Sequence, residues 1–205
     1  MQTYGQLQQQ LKLEQQLPAT PEWSAAADFL FLIKDHCLSN EPETIVECSS
    51  GLTSLVLSRC CQINNKGHVY SLENGEEFQQ QTLKQLKLFD LQDWADIFHA
   101  PLIRRTIMQC DYDWYNSQAV NNLEIDMLVI DGPPGFIQKK SRLPALPVFF
   151  DQLKDGACVF LDDAARDEEK EIVKIWLEEY SFLEHEYIET ERGCSIIKIN
   201  KNING

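Results

Sequence analysis

Residues 44–57 read Thr44-Ile45-Val46-Glu47-Cys48-Ser49-Ser50-Gly51-Leu52-Thr53-Ser54-Leu55-Val56-Leu57. The pattern predicts a short strand, a loop of small residues and an amphipathic helix. Open α/β sheets bind ligands at the carboxyl ends of their strands, and the helix start adds unpaired N–H donors with a partial positive charge. Glu47 places the opposite charge beside these donors. A site with both charges suits a zwitterion, such as the amino and carboxylate ends of a methionine moiety, and disfavours a pyrophosphate.

The rest of the chain alternates between strand and helix patterns. Strands are predicted at 44–48, 68–73, 95–100, 126–131 and 157–162, and helices at 53–62, 76–88, 115–122, 141–154 and 168–180. The last segments, 182–190 and 194–199, predict an antiparallel hairpin across Glu191-Arg192-Gly193. This order predicts a doubly wound α/β domain. Its seven-stranded sheet is expected to be mostly parallel, with an antiparallel last strand.

The N-terminal part differs from this alternating region. Residues 1–40 are expected to form a helical cover, with Thr20 as N-cap and Pro21 as the first residue of a helix that continues to about Cys37. Residues 41–200 would form the α/β domain and 201–205 a polar tail.

Composition excludes several classes of protein. The net charge of −14 argues against general nucleic-acid binding and against docking on anionic membranes. The seven cysteines are odd in number and form no Cys-x-x-Cys pair, so neither a disulfide framework nor a structural zinc site is indicated. No signal peptide is recognisable, and no apolar run approaches the roughly 20 residues that span a bilayer. A cytoplasmic protein is expected.

Acidic residues stand at four predicted strand ends. They are Glu47, Glu73, Asp131 and the pair Asp162-Asp163. The carboxyl ends of parallel strands meet at one edge of a sheet, and packed carboxylates repel each other. We therefore expect a functional reason for this arrangement. Glu73 stands where a carboxylate can accept hydrogen bonds from ribose hydroxyls.

These motifs together resemble the class I AdoMet-dependent methyltransferases, over about residues 20–199. The resemblance is to the small bacterial-type members with a Glu-x-Gly-Ser-Gly-x-Ser-Thr loop, a Val-Asp-Gly-Pro-Pro segment and a Leu-Asp-Asp-Ala segment. It implies that AdoMet is the cofactor and that Glu47 holds its amino group. The other implied cofactor-binding residues are Ser49, Ser50, Gly51, Thr53, Ser54, Glu73, Asn74, Ala100, Pro101, Leu102 and Asp131. Ser49 replaces the first glycine of the family loop, and its Cβ would crowd the cofactor or resist a positive φ.

The strand-end aspartates allow two interpretations. In catechol-type O-methyltransferases, which share this resemblance, acids at these strand ends hold a divalent metal, so Asp131, Asp162 and Asp163 would be Mg²⁺ ligands, with Asp131 and Asp162 catalytic. In the second interpretation Asp131 only lines the cofactor site and Asp162-Asp163 caps the next helix. An NAD site is disfavoured, because only Gly51 of the three fingerprint glycines is present.

No general base is obvious from the sequence. The three aspartates and His99 are candidates, although a structural role is favoured for His99. The basic residues Lys139, Lys140 and Arg142 are either binders of an anionic substrate or a solvated loop. Trp114-Tyr115 either lines a substrate pocket or packs in the core.

The expected function is methyl transfer to an oxygen or nitrogen of a small-molecule or glycan acceptor. The alternative, motivated by Ser49, is a binding protein that keeps the fold without turnover. A homodimer is compatible with the sequence, which leaves the oligomeric state open.

Overall fold

The computed structural model describes residues 2–18 and 24–201. Its main sheet has seven strands in the order β3-β2-β1-β6-β7-β9-β8. β9 runs antiparallel to both of its neighbours, and the other pairs are parallel. The predicted doubly wound sheet with an antiparallel last strand is therefore confirmed. The strands are β1 (Thr44–Cys48), β2 (His68–Glu73), β3 (Ala95–His99), β4 (Leu102–Ile107), β5 (Cys110–Tyr115), β6 (Ile125–Ile130), β7 (Leu153–Leu161), β8 (Leu183–Ile188) and β9 (Cys194–Ile199).

Helices cover both faces of this sheet. They are α1 (Tyr4–Gln10), α2 (Ala27–Asn40), α3 (Leu52–Asn64), α4 (Glu76–Leu88), α5 (Ala145–Phe149) and α6 (Asp167–Glu179). Because successive strand residues point to opposite faces, Ile45 packs with α1 to α4 while Val46 packs with α5, α6 and β5. Two apolar cores result, one on each face, which explains why the central strands are continuously apolar.

The N-terminal segment packs on the first of these cores. Thr3 caps α1, and Leu7 and Leu11 are fully buried. Arg59 Nε donates to the Leu11 carbonyl at 2.8 Å, which ties the segment to α3. The predicted cap at Thr20 and Pro21 lies outside the described residues. No helix in the described ranges is both long and apolar enough to cross a bilayer.

Two helix predictions were wrong. The segment 115–122 contains the end of β5 and a single 3-10 turn at Gln118–Val120, because β4 and β5 form an antiparallel hairpin that the sequence analysis missed. The helix predicted at 141–154 is reduced to α5, since β7 already starts at Leu153 and pairs there with Ile125. Pro147, which has no N–H to donate, lies within this short helix.

Candidate active site

The loop between β1 and α3 forms a tight turn at the carboxyl edge of the sheet. Ser49 has φ 105° and Gly51 has φ 142°, both in the region that favours glycine. The Ser49 N–H donates to the Leu72 carbonyl at 2.9 Å, so the loop is anchored to β2. Ser49 therefore adopts a backbone conformation that favours glycine, with the strain that a Cβ imposes there.

Glu47 lies beneath this loop and is fully buried. Its carboxylate accepts hydrogen bonds from Thr53 Oγ1, from Ser54 Oγ at 2.6 Å and from Ser71 Oγ at 2.5 Å. Ser54 Oγ also accepts from the Gly51 N–H at 3.1 Å. Burial raises the pKa of Glu47 to about 7, against the lowering effect of the three hydroxyls. The carboxylate thus joins β1, β2 and α3 below the loop.

Glu73 ends β2 and holds the loop from the side. Its Oε2 accepts from the Ser50 N–H at 3.0 Å and from Ser50 Oγ at 3.1 Å, while Oε1 accepts from the Gly75 N–H at 2.8 Å. Burial raises its pKa above the ordinary value. Each carboxylate oxygen has two lone pairs, so Glu73 keeps capacity to accept further donors.

A cavity of about 640 Å³, called here the loop cavity, opens in front of this loop. This volume is in the range of small-molecule sites. The N-terminal segment contributes Pro18 and Ala25 to its wall. Its other lining residues include Ser49, Ser50, Gly51, Thr53, Glu73, Asn74, Phe78, Thr82, Asp131, Pro134 and Phe136.

Three aspartates come together where β6 and β7 end. Asp131, Asp162 and Asp163 each place a carboxylate oxygen within 4.8 Å of the others. Both oxygens of Asp162 and Oδ1 of Asp163 are buried without a hydrogen-bond partner among the described residues. Burial, reinforced by the neighbouring carboxylates, raises the pKa of Asp162 well above its ordinary value. Burial likewise raises the pKa of Asp131 to about 7, although Arg142 opposes the shift.

Arg142 is a buried guanidinium at this cluster, with a side chain only 4% exposed. Its Nη1 donates to the Asp162 carbonyl at 2.8 Å, and its Nη2 donates to the Asp131 carbonyl at 2.9 Å and to Asp163 Oδ2 at 2.8 Å. The same Nη2 is 3.5 Å from Asp131 Oδ1. Arg142 therefore clamps the ends of β6 and β7 together and offsets part of the acidic charge.

A second cavity of about 560 Å³, called here the strand-end cavity, lies next to the first. The two share Asp131, Pro134 and Phe136 in their walls. The remaining lining residues of the strand-end cavity are Gly135, Arg142, Asp163, Arg166, Asp167, Glu168, Glu169 and Arg192. Two adjoining cavities with a carboxylate between them can hold two reactants side by side.

The sequence matches the model of a family described as a methyltransferase domain over residues 46–164, more than half of the chain. The chain belongs to this methyltransferase family. It is a class I AdoMet-dependent methyltransferase. No curated protein matches the sequence at a significant level.

Solved structures share the fold at low sequence identity. An O-methyltransferase from Bacillus cereus in complex with SAH has a TM-score of 0.67 and 13% identity, with 96% of this chain and 90% of that chain covered. The SAH-bound methyltransferase PaMTH1 from Podospora anserina has a TM-score of 0.69 and 12% identity, over 97% and 88% of the two chains. The O-methyltransferase TomG from Streptomyces achromogenes, in complex with SAM, has a TM-score of 0.66 and 12% identity, over 95% and 86%.

The methyltransferase brings most of the predicted site residues to the two cavities. Some predicted residues lie elsewhere. Glu47, Ser54 and Asp162 are fully buried and line neither cavity. Neither Pro101 nor Leu102 is among the lining residues of the loop cavity. Their predicted contact with the adenine stays a prediction.

The other residues that the sequence suggested for catalysis or acceptor binding do not lie together in the structure. His99 is exposed at the end of β3 and lines neither cavity. Lys139, Lys140 and Arg142 do not form one basic cluster, because Lys140 Nζ pairs with Glu171 at 2.6 Å while Arg142 turns inward. Trp114 and Tyr115 pack edge to face in the core at 5.0 Å. Core packing is thus the structural role of this pair.

Sequence reasoning missed Phe78, Thr82, Phe136 and Arg192 as lining residues. Phe136 is 79% exposed, and an aromatic side chain exposed directly after the Gly132-Pro133-Pro134-Gly135 turn was a usable signal. Arg192 stands in the turn of the predicted β8–β9 hairpin, and no local pattern indicates which cavity that turn reaches.

Proposed function

We propose that the methyltransferase transfers a methyl group from AdoMet to an oxygen or nitrogen of a small-molecule or glycan acceptor. AdoMet would occupy the loop cavity and the acceptor the strand-end cavity. The observation that carries this proposal is the shared wall at Asp131, where the two cavities adjoin. Methyl transfer from a sulfonium is an in-line displacement, so the main contribution of the protein is to align two bound molecules.

Backbone groups and carboxylates of the loop cavity would bind the cofactor. Ser49, Ser50 and Gly51 would let the cofactor approach the backbone closely, with the methionine carboxylate near the positive end of α3. Glu73 would accept the ribose hydroxyls and Asn74 would lie at the adenine edge. Glu47 would act through Ser54 and Thr53, because its carboxylate is engaged by their hydroxyls behind the loop.

Asp131 is proposed as the general base. Its side chain is 19% exposed and lies in the wall of both cavities. A pKa of about 7 is near the optimum for accepting a proton at neutral pH. As a lone pair of the acceptor hydroxyl or amine attacked the methyl carbon, the bond from the methyl group to sulfur would break to leave AdoHcy, and the Asp131 carboxylate would take the proton of the acceptor.

The aspartates also fit a divalent cation. Three carboxylates lie close together, and three of their oxygens lack a hydrogen-bond partner among the described residues. Asp131, Asp162 and Asp163 would hold Mg²⁺, with the remaining positions taken by water or acceptor oxygens. Bound Mg²⁺ would lower the pKa of a coordinated acceptor hydroxyl, and Asp131 would then act as a metal ligand in place of the general base. Arg142 already binds Asp163 Oδ2, so that aspartate would offer its other oxygen.

Calorimetry with AdoMet and AdoHcy tests the cofactor assignment, with NAD as the ligand control. We expect dissociation constants of roughly 1 µM to 1 mM for both methionine nucleosides. Glu73→Gln should weaken binding about tenfold or more, because the ribose hydroxyls lose a charged acceptor. The matched control Glu76→Gln changes an exposed acid at the start of α4 and should leave binding unaltered. Binding of NAD in preference to AdoHcy would overturn the assignment.

The binding-only alternative rests on the strained Ser49. Release of AdoHcy with any acceptor would exclude it. Tight AdoHcy binding without turnover across a broad acceptor panel would favour it. A cytoplasmic location and a homodimer remain predictions of the sequence, to be tested by cell fractionation and by light scattering.

A further inference from the structure

We propose that the acceptor is a hydroxyl-rich molecule with one anionic group, a sugar acid or a sugar phosphate, and that Arg192 binds this group. The inference rests on the proposed function, because it places the acceptor in the strand-end cavity. It deepens that function by naming the chemical class of the acceptor and a specificity-determining residue.

Arg192 is held firmly in the cavity wall. It lies in the turn between β8 and β9, and its carbonyl accepts from the Ala165 N–H at 3.0 Å. The Gly193 carbonyl accepts from the Ala164 N–H, also at 3.0 Å. A Cβ at Gly193 would collide with the Ala165 nitrogen and would approach Tyr187 Oη to 2.6 Å. The turn is therefore packed closely against the segment that follows β7, and the Arg192 backbone is fixed.

The guanidinium of Arg192 has no ion pair or hydrogen bond to any residue in 2–18 or 24–201. It is only half-buried, and its charge acts on Asp131, whose pKa it lowers against the larger effect of burial. The other two arginines of the cavity are engaged. Arg142 binds Asp163 Oδ2 at 2.8 Å, and Arg166 Nη1 lies 2.9 Å from the same oxygen. Arg192 is thus the cavity arginine left to bind an anion.

The same cavity wall also requires hydrogen-bond donors from the ligand, because some of its buried acceptor oxygens are unsatisfied. Glu169 Oε2 is buried without a hydrogen-bond partner among the described residues, and so is Asp163 Oδ1 when no cation occupies the aspartates; each residue is only 3% exposed. A buried acceptor without a donor is costly, so a ligand that brings O–H donors to this wall would gain affinity. Hydroxyl groups meet this need without adding negative charge.

The charge of the wall limits how many anionic groups the acceptor can carry. Five carboxylates line the cavity, at Asp131, Asp163, Asp167, Glu168 and Glu169. A second anionic group would lie near these carboxylates and be repelled. Only Pro134, Gly135 and Phe136 among the lining residues are uncharged, so a flat apolar acceptor would leave the charged groups of this wall without partners. Phe136, at the junction of the two cavities, offers one ring on which the face of a sugar can pack.

The test measures acceptor binding by calorimetry to the full chain saturated with AdoHcy. The probes are glucuronate and galacturonate as carboxylates, glucose 6-phosphate and galactose 1-phosphate as phosphates, glucose and galactose as neutral sugars, and catechol as an aromatic acceptor. We expect at least one anionic sugar to bind about tenfold or more tightly than its neutral counterpart. Preference for the carboxylates or for the phosphates identifies the anion, and either result supports the proposal.

The variant Arg192→Gln should weaken binding of the preferred anionic sugar about tenfold to a hundredfold, the loss expected for one charge-assisted hydrogen bond. It should leave glucose and AdoHcy binding unchanged. The control Arg104→Gln alters an exposed arginine on β4 and should change nothing. The proposal is wrong if catechol or the neutral sugars bind as tightly as every anionic sugar. It is also wrong if Arg192→Gln retains full affinity for the anionic sugars. Failure of AdoHcy to bind would instead contradict the proposed function.

Discussion

At the scale of single residues, Ser49 shows how the methyltransferase accommodates a departure from its family loop. Ser49 has φ 105°, a conformation that glycine adopts readily and that is strained for a residue with a Cβ. Ser49→Gly should therefore raise the free energy of unfolding by about 1 kcal/mol, after allowing for the greater freedom of glycine in the unfolded chain. Urea denaturation measures this change.

A matched control separates strain relief from the general effect of adding a glycine. Ser181 is exposed between α6 and β8. Ser181→Gly should leave the stability unchanged or lower it by a few tenths of a kcal/mol. If both substitutions destabilise the protein equally, Ser49 carries no relievable strain.

At the scale of secondary-structure elements, Arg142 joins the ends of β6 and β7 through the carbonyls of Asp131 and Asp162, the residues that follow these strands. Arg142→Met keeps most of the side-chain volume but removes the buried guanidinium beside Asp131 and Asp163, leaving Asp163 with the more exposed Arg166 alone. We expect a loss of about 3–5 kcal/mol of stability. Arg104→Met is the control, because the Arg104–Asp113 pair is exposed and should contribute less than about 1 kcal/mol. Equal losses in the two variants would mean that the buried clamp contributes little.

The β4–β5 hairpin supports the active-site loops through Tyr115. A Cβ added at Gly132 would lie 2.5 Å from Tyr115 Oη and 3.1 Å from Ser49 Cβ. Gly132→Ala should thus destabilise the protein by about 1–3 kcal/mol through overpacking. Adding Tyr115→Phe removes the clashing oxygen and should recover part of that loss. A double-mutant cycle measures the coupling, and purely additive effects would show that the two residues do not compete for space.

At the scale of the whole molecule, several carboxylates with raised pKa values share one sheet edge, and this gives stability an unusual pH dependence. Between its ordinary pKa of 4.5 and its folded pKa of about 7, Glu47 holds a proton in the folded chain that the unfolded chain releases. Stability contributed in this way is present at low pH and is lost as the pH rises through 7. Asp131 adds the same trend.

The effect can be isolated with Glu47→Gln. His36 and His185 have lowered pKa values and titrate in the opposite sense, so the difference between wild type and variant is the informative quantity. From pH 5.5 to 7.5, wild-type stability should fall relative to the variant by about 1 kcal/mol per pH unit. Urea denaturation at three pH values, with Glu76→Gln as control, measures it. Parallel pH profiles would mean that Glu47 is ionised in the folded chain.

Local patterns in the sequence predict much of the architecture. Apolar runs, small-residue turns and the alternation of strand and helix periods determined the seven-stranded sheet and placed Glu47, Glu73, Asp131 and Asp162 at strand ends. Because the carboxyl ends of parallel strands meet at one edge, the position of the candidate active site followed from this order. The hairpin at 102–115 was not predicted, because the adjacent aromatic residues Trp114 and Tyr115 fit either a helix or a strand.

Tertiary structure alone decided what each of these side chains does. Glu47 turns under the loop to meet Ser71, which is 24 residues away, and Arg142 reaches Asp163 across 21 residues. Hydrogen bonds between distant segments depend on how the helices pack on the sheet. The hydrophobic periodicity of a short stretch of sequence does not predict that packing. For the same reason only the folded chain shows that Arg192, in a turn near the C-terminus, lines the cavity that begins at Asp131.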